Sequence, residues 1–186
     1  MKIALLDTET TGLLKPSAAR LSMQPYITEM YCCVLDTENN WEVAGEYNHM
    51  LCPPVPLPEE VIKITGITQE MVDGKPSFAD TYSEFAKVMT GVDMMVAHNL
   101  SFDKGIIRNE LARLDKDYQF PWPRHQVCTV ESSFHIKGYR LNLTKLHFLA
   151  TGKGFNAHRA KDDVHAMVRS FFWLVQEGHI SLENYE

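Results

Sequence analysis

The 186-residue chain has no run approaching the roughly 18 unbroken apolar residues that a membrane-spanning helix needs, which excludes a helical membrane protein. Its opening residues, Met-Lys-Ile-Ala-Leu-Leu, are too few for a secretory leader and run directly into a polar motif at Asp7. A cytoplasmic location is the expectation that follows. Cysteine is scarce: Cys32, Cys33, Cys52 and Cys128 form no Cys-x-x-Cys pair, so a zinc site is not expected and buried, reduced thiols are. No internal repeat, low-complexity tract or linker interrupts the chain, which predicts a single domain over residues 1–186. A basic surplus is missing as well. The net charge of −6 argues against a protein that coats long nucleic-acid duplexes through many phosphate contacts.

Hydrophobic residues make up 45% of the chain, enough for a full core. The near-continuous apolar run over 2–7, Ile3 to Leu6, predicts a central strand buried on both faces. Residues 26–36 and 41–50 read as two further strands around the polar turn Glu38-Asn39-Asn40. In the second of them, Trp41, Val43, Gly45 and Tyr47 alternate with Glu42, Ala44, Glu46 and Asn48. Pro53, Pro54, Pro56 and Pro58 end this antiparallel meander. A short helix over 58–64 follows. Ser77 then caps a helix to about Met89, with Phe78, Tyr82, Phe85 and Met89 at helical spacing. Val92 to Ala97 is a strand, and a helix over 101–114 buries Ile107, Leu111 and Leu114. A loop over 115–127, a short strand over 126–130 and helices over 142–150 and 160–176 complete the reading. The last helix buries Val164, Met167, Val168, Phe171 and Val175. Periodicity by itself supports an α/β class.

Three short motifs carry the chemistry. Asp7-Thr8-Glu9-Thr10-Thr11-Gly12 ends the first apolar run. Residues two apart on a strand share a face, so Asp7 and Glu9 project together near the carboxyl end of a central strand. Two carboxylates about 4 Å apart repel by roughly 4 kcal/mol at an effective dielectric near 20, and a cation or a proton must relieve them. An all-oxygen set favours Mg²⁺ or Mn²⁺ over softer metals. Ala97-His98-Asn99-Leu100-Ser101-Phe102-Asp103 forms a strand-to-helix junction in which Asn99 or Ser101 can cap the helix and Asp103 lies in its first turn. In His158-Arg159-Ala160-Lys161-Asp162-Asp163, a five-residue separation within one helix would place His158 and Asp163 about 140° apart. A helix starting near Arg159 or Ala160 instead leaves His158 in the preceding loop, behind Gly152 and Gly154, while the helix fixes Asp163. Histidine titrates near neutral pH and suits a general base there. Asp162 has capping the helix or orienting the histidine as its open roles.

The order, spacing and flanking residues of these motifs resemble the DnaQ-like (DEDDh) 3′–5′ exonuclease family, over about residues 1–176. Arg159 stands where the tyrosine-type branch would have Tyr, which favours the histidine branch. Cys128-Thr129 before a helix is similar to the bacterial exonuclease X branch. At Thr65-Gly66 the chain departs from the His-Gly that the family often has. The resemblance implies a ribonuclease-H-like fold: a mixed sheet of three antiparallel strands and then parallel strands, with helices on both faces. It implies two divalent metal ions, Mg²⁺ or Mn²⁺, on Asp7, Glu9, Asp103 and Asp163, with His158 as the base. It also implies a site for the 3′ end built from Thr10, Thr11, Leu13, His98, Asn99 and Phe102. Leu13 would wedge against the terminal base.

The implied reaction is hydrolysis of phosphodiester bonds at the 3′ ends of single-stranded DNA, releasing nucleoside 5′-monophosphates. RNA is the possible alternative substrate, as for an exoribonuclease or oligoribonuclease of the same superfamily. A non-catalytic nucleic-acid-binding domain is the rival of another class; loss of any of the four acids or of His158 would favour it, and none is missing. The charge is distributed in keeping with a grip on a few nucleotides. Residues 1–97 carry 6 basic and 14 acidic side chains, whereas residues 98–170 carry 12 and 7. No polymerase association is indicated, because about ten residues follow the last helix. The segments 14–25, with Lys15, Arg20 and Met23, and 137–140, Lys-Gly-Tyr-Arg, are open to a role in substrate contact or as solvated surface.

Overall fold

The computed structural model describes residues 1–185. Strands β1 (Lys2–Thr10), β2 (Ile27–Asp36), β3 (Glu42–Met50), β4 (Met94–Ala97) and β5 (His125–Cys128) form one sheet in the order β3-β2-β1-β4-β5. The first three are antiparallel; β4 runs parallel to β1, and β5 parallel to β4. The helices are α1 (Glu59–Thr65), α2 (Gln69–Val72), α3 (Phe78–Met89), α4 (Leu100–Arg113), α5 (Thr129–Lys137), α6 (Leu143–Thr151) and α7 (Ala160–Gln176). This is the mixed sheet with helices on both faces that the sequence implies.

Strand alternation divides the core in two and decides where the site forms. Ala4, Leu6, Met30 and Cys32 face one way and pack with Phe85 and Met89 of α3 and Ile106 and Ile107 of α4. Ile3, Leu5, Tyr31 and Cys33 face the other way and pack with Val164, Met167 and Phe171 of α7. The apolar run through Leu6 is therefore buried on both faces, and the strand outlasts it by four residues, carrying Asp7 and Glu9 past the core to its carboxyl end.

Several local expectations need correction. β3 is an edge strand: Tyr47 is fully buried while Val43 is exposed, and a β-bulge between Val34 and Leu35 breaks the register beside it. The fifth strand ends at Cys128, since Thr129 and Val130 begin α5. Leu114, Val168 and Val175 are partly rather than fully buried. Cys32 and Cys33 are buried on opposite faces of β2, whereas Cys52 and Cys128, outside the strand interiors, are only half-buried; all four are free thiols. Ser77 does cap α3, in a reciprocal capping box with Asp80. At the Thr65-Gly66 departure, the Thr65 hydroxyl donates to the Val61 carbonyl and accepts from the Ile67 amide, and Gly66 supplies the left-handed C-cap of α1 at φ 70°. No described helix is long and apolar enough to cross a membrane.

Candidate active site

The odd-numbered face of β1 points Asp7 and Glu9 toward α7. One carboxylate oxygen from each, together with one from Asp163, falls in a group whose members all lie within 4.8 Å of one another. α7 begins at Ala160, so His158 sits in the loop before it, exposed and in the left-handed region at φ 73°. Asp163 fixes this bend: its Oδ2 accepts the backbone N–H groups of His158 at 2.8 Å and Arg159 at 2.9 Å. The same carboxylate thus serves the helix N-terminus and the acidic group. Asp162, one residue earlier, is exposed and outside it.

Asp103 stands on the other face. It is 2% exposed in the first turn of α4, and its Oδ1 accepts both the Thr8 amide (3.1 Å) and the Thr8 hydroxyl (2.8 Å). Thr8 is even-numbered and points to the α4 side, so Asp103 reaches the edge of β1 from behind Asp7 and does not join the tight group of three. It is nonetheless the largest source of like charge felt by Asp7.

The electrostatics show what this arrangement costs without a cation. Burial first, and then Asp103, Asp163, Glu9 and Glu29, push the Asp7 carboxyl well above its ordinary range. Burial, with Asp163, Glu29 and Asp103, pushes Glu9 up to about 8. Burial raises Asp103 to about 7 against the opposing hydrogen bonds of Thr8. Asp163 is raised by burial in spite of the His158 and Arg159 amides. An all-carboxylate set under mutual repulsion is the donor chemistry that hard divalent cations fit.

The residues read as lining the site surround this edge. Thr10 is buried and its hydroxyl donates to the Gly12 carbonyl, while the Thr11 hydroxyl accepts the Tyr26 amide. These bonds shape the turn that presents Leu13, which is 76% exposed. His98 is half-buried, its Nδ1 is 2.8 Å from the Thr129 hydroxyl, and burial pushes it down to about 4, so it stays neutral at physiological pH. Asn99 occupies the N-cap position of α4, but the expected side-chain cap is not made by it. In the left-handed conformation (φ 71°) its Oδ1 turns outward and accepts from Arg140 and Ser101. Phe102 is partly buried against the α3–α4 core. The 14–25 segment is not loose surface. Gln24 bonds the backbone of Lys15 and Pro16, and Arg113 donates to the carbonyls of Leu21, Gln24 and Pro25.

Two residues at this edge escaped the sequence reading. Thr8 lies between two conspicuous acids and reads as filler. Glu29 is 6% exposed on β2, opposite Glu9 in register, and its carboxylate takes the Arg159 guanidinium and the Ala160 amide. A lone acid in the apolar stretch Ile27–Leu35 was the available signal, since an acid there must be paired.

A sheet of this order, with acids from β1 and α7 converging at its carboxyl edge, defines a ribonuclease-H-like exonuclease fold. The exonuclease family model RNase_T matches residues 5–171, and the chain belongs to that family. Among its relatives, the DNA polymerase III subunit epsilon of Treponema pallidum is 29% identical over 184 residues, spanning 93% of this chain and 78% of the relative. A PolC-type DNA polymerase III of Clostridium perfringens is 30% identical over 166 residues, and this chain spans 10% of its length. Exonuclease X, solved in complex with 5′ overhanging duplex DNA, has the same fold, with a TM-score of 0.69 at 20% identity over 98% of this chain and 96% of that one.

Proposed function

We propose that the chain is a 3′–5′ exonuclease that removes nucleoside 5′-monophosphates from single-stranded DNA ends with the help of two Mg²⁺ or Mn²⁺ ions. The observation that carries this reading is the convergence of Asp7, Glu9 and Asp163 oxygens within 4.8 Å. Asp7, Glu9 and Asp163 hold the ions, with Asp103 completing the set from the α4 side. When bound, the ions stabilise the attacking and leaving oxygens of the phosphodiester.

The chain's own groups do the rest. His158, exposed beside Asp163 on a backbone that Asp163 pins, takes the proton from the attacking water at a ring nitrogen. The backbone at Glu9-Thr10 holds the terminal 3′-OH. Leu13 lies against the terminal base, supported by the Thr10 and Thr11 bonds. His98, Asn99 and Phe102 line the pocket, His98 as a neutral hydrogen-bonding group. Contacts of this kind tolerate any base.

Matched DNA and RNA oligonucleotides labelled at the 5′ end, incubated with Mg²⁺, Mn²⁺ or EDTA, test the proposal. A ladder shortening stepwise on DNA with either metal and frozen by EDTA is the expected result. Faster shortening of RNA would reassign the substrate, and an intact label under every condition would remove the activity.

A further inference from the structure

Residues 132–161 contain Lys137, Arg140, Lys145, Lys153, Arg159 and Lys161 and not one Asp or Glu, in a chain whose net charge is −6. Part of this acid-free stretch folds into a groove of about 320 Å³ between the end of α5 and the outer face of α6. Tyr139, Phe148 and Leu149 line it and are 50%, 58% and 37% exposed; Lys137 and Lys145 flank them. The Lys145 ammonium lies 5.7 Å from the Tyr139 ring centroid. Ring and cation are thus held side by side, the pair needed to stack a base and meet its phosphate together.

Two features tie the groove's segment toward the acidic edge. Arg140, next to Tyr139, donates to Asn99 Oδ1 at the carboxyl end of β4 and also pairs with Glu131. Gly154, on the groove wall, is four residues from His158, so their Cα atoms are at most about 14 Å apart.

We propose that this groove binds single-stranded nucleic acid a few nucleotides upstream of the 3′ end held at the acidic site; this rests on the exonuclease reading above. The exposed rings select an unpaired strand, because bases stacked inside a duplex present no free face to them. The lysines supply phosphate contacts in a stretch that carries no opposing acid.

The test uses the full chain and has two arms. In EDTA, where no turnover interferes, fluorescence anisotropy measures binding of a 5′-labelled 12-nucleotide strand. Phe148→Ala and Tyr139→Ala are expected to weaken it by about 5- to 150-fold each. Lys145→Ala is expected to reduce the slope of log affinity against log salt by about 0.7. Phe148→Trp retains binding, and Tyr118→Ala, at a 99% exposed aromatic outside the groove, serves as control. With Mg²⁺, the advantage of a 12-nucleotide over a 3-nucleotide substrate in kcat/KM collapses in the groove variants and persists in Tyr118→Ala.

Unchanged strand affinity in all three groove variants overturns the proposal. So does an equal loss, in the same EDTA assay, for a 5′-labelled duplex of the same length and for the single strand. Failure of the exonuclease reading shows separately, as absence of hydrolysis of the p-nitrophenyl ester of thymidine 5′-monophosphate by the unsubstituted protein, and leaves the EDTA binding arm to judge the groove.

Discussion

Arg159 grips Glu29 with two guanidinium nitrogens, Nη2 to Oε1 at 2.7 Å and Nε to Oε2 at 3.0 Å, and Glu29 Oε2 also takes the Ala160 amide at 3.0 Å. The pair joins β2 to the first residues of α7, where His158 and Asp163 are set. Glu29 is buried, so removing its partner strands a desolvated carboxylate next to Glu9. Arg159 keeps 41% of its side chain exposed, which discounts the loss. Arg159→Ala is expected to cost roughly 1.5–3 kcal/mol in urea denaturation. A change under about 0.5 kcal/mol would show that the pair does not anchor the helix.

The metal-free protein should become less stable as pH rises. Glu9 is raised from 4.5 to about 8 and Asp103 from 3.8 to about 7. For acids raised on folding, the folded state binds more protons between the unfolded and folded values, so their contribution is fully present below about 4 and is lost on rising through 7 to 8. Thermal melts in EDTA should therefore show Tm falling between pH 5 and 8, and Mg²⁺ should restore it most at the upper end, where the carboxylates are ionised. A Mg²⁺ effect equal at both ends would contradict the assignment of these acids to a cation site.

Thr8→Val removes the hydroxyl that Asp103 Oδ1 accepts at 2.8 Å but keeps the backbone bond. Above about pH 7, where Asp103 is ionised, such a hydrogen bond is worth about 1.5–3 kcal/mol. The variant is expected to lose stability on that order and to cleave more slowly, because the Thr8 amide alone then holds Asp103 against β1. Wild-type cleavage in a destabilised Thr8→Val would make this contact structural only.

His158→Ala should lower kcat on single-stranded DNA by roughly 10²–10⁴-fold. Asp163 accepts the His158 backbone amide and not its ring, so the substitution leaves the cap and the acidic group in place. The Mg²⁺-dependent rise in Tm is expected to survive. Its loss together with activity would mean that the histidine acts through the fold and not on the proton.

Much of the fold was legible because its determinants are local. The apolar runs, the Ser77 cap and a start of α7 near Arg159 or Ala160 are readable from the sequence, and the motifs marked the elements that would bear acids. The Asp7–Glu9–Asp163 convergence needed tertiary information: Asp163 approaches because Val164, Met167 and Phe171 seat α7 on the odd-numbered face of β1. The same parity placed Asp103 with Thr8 on the opposite face, which spacing along the chain does not show. Glu29 was invisible as a partner of Arg159 because 130 residues separate them. Likewise, the Asn99 side chain abandons the cap for Arg140, a contact over 41 residues.

The most direct measurement is calorimetric titration of Mn²⁺ into the unsubstituted protein and Asp7→Asn, paired with digestion of a 5′-labelled single strand by the same samples. The account predicts two bound ions and stepwise 3′ shortening for the first, and for the second a folded protein with weakened ion binding and no ladder. Equal ion binding and equal shortening in both would contradict it.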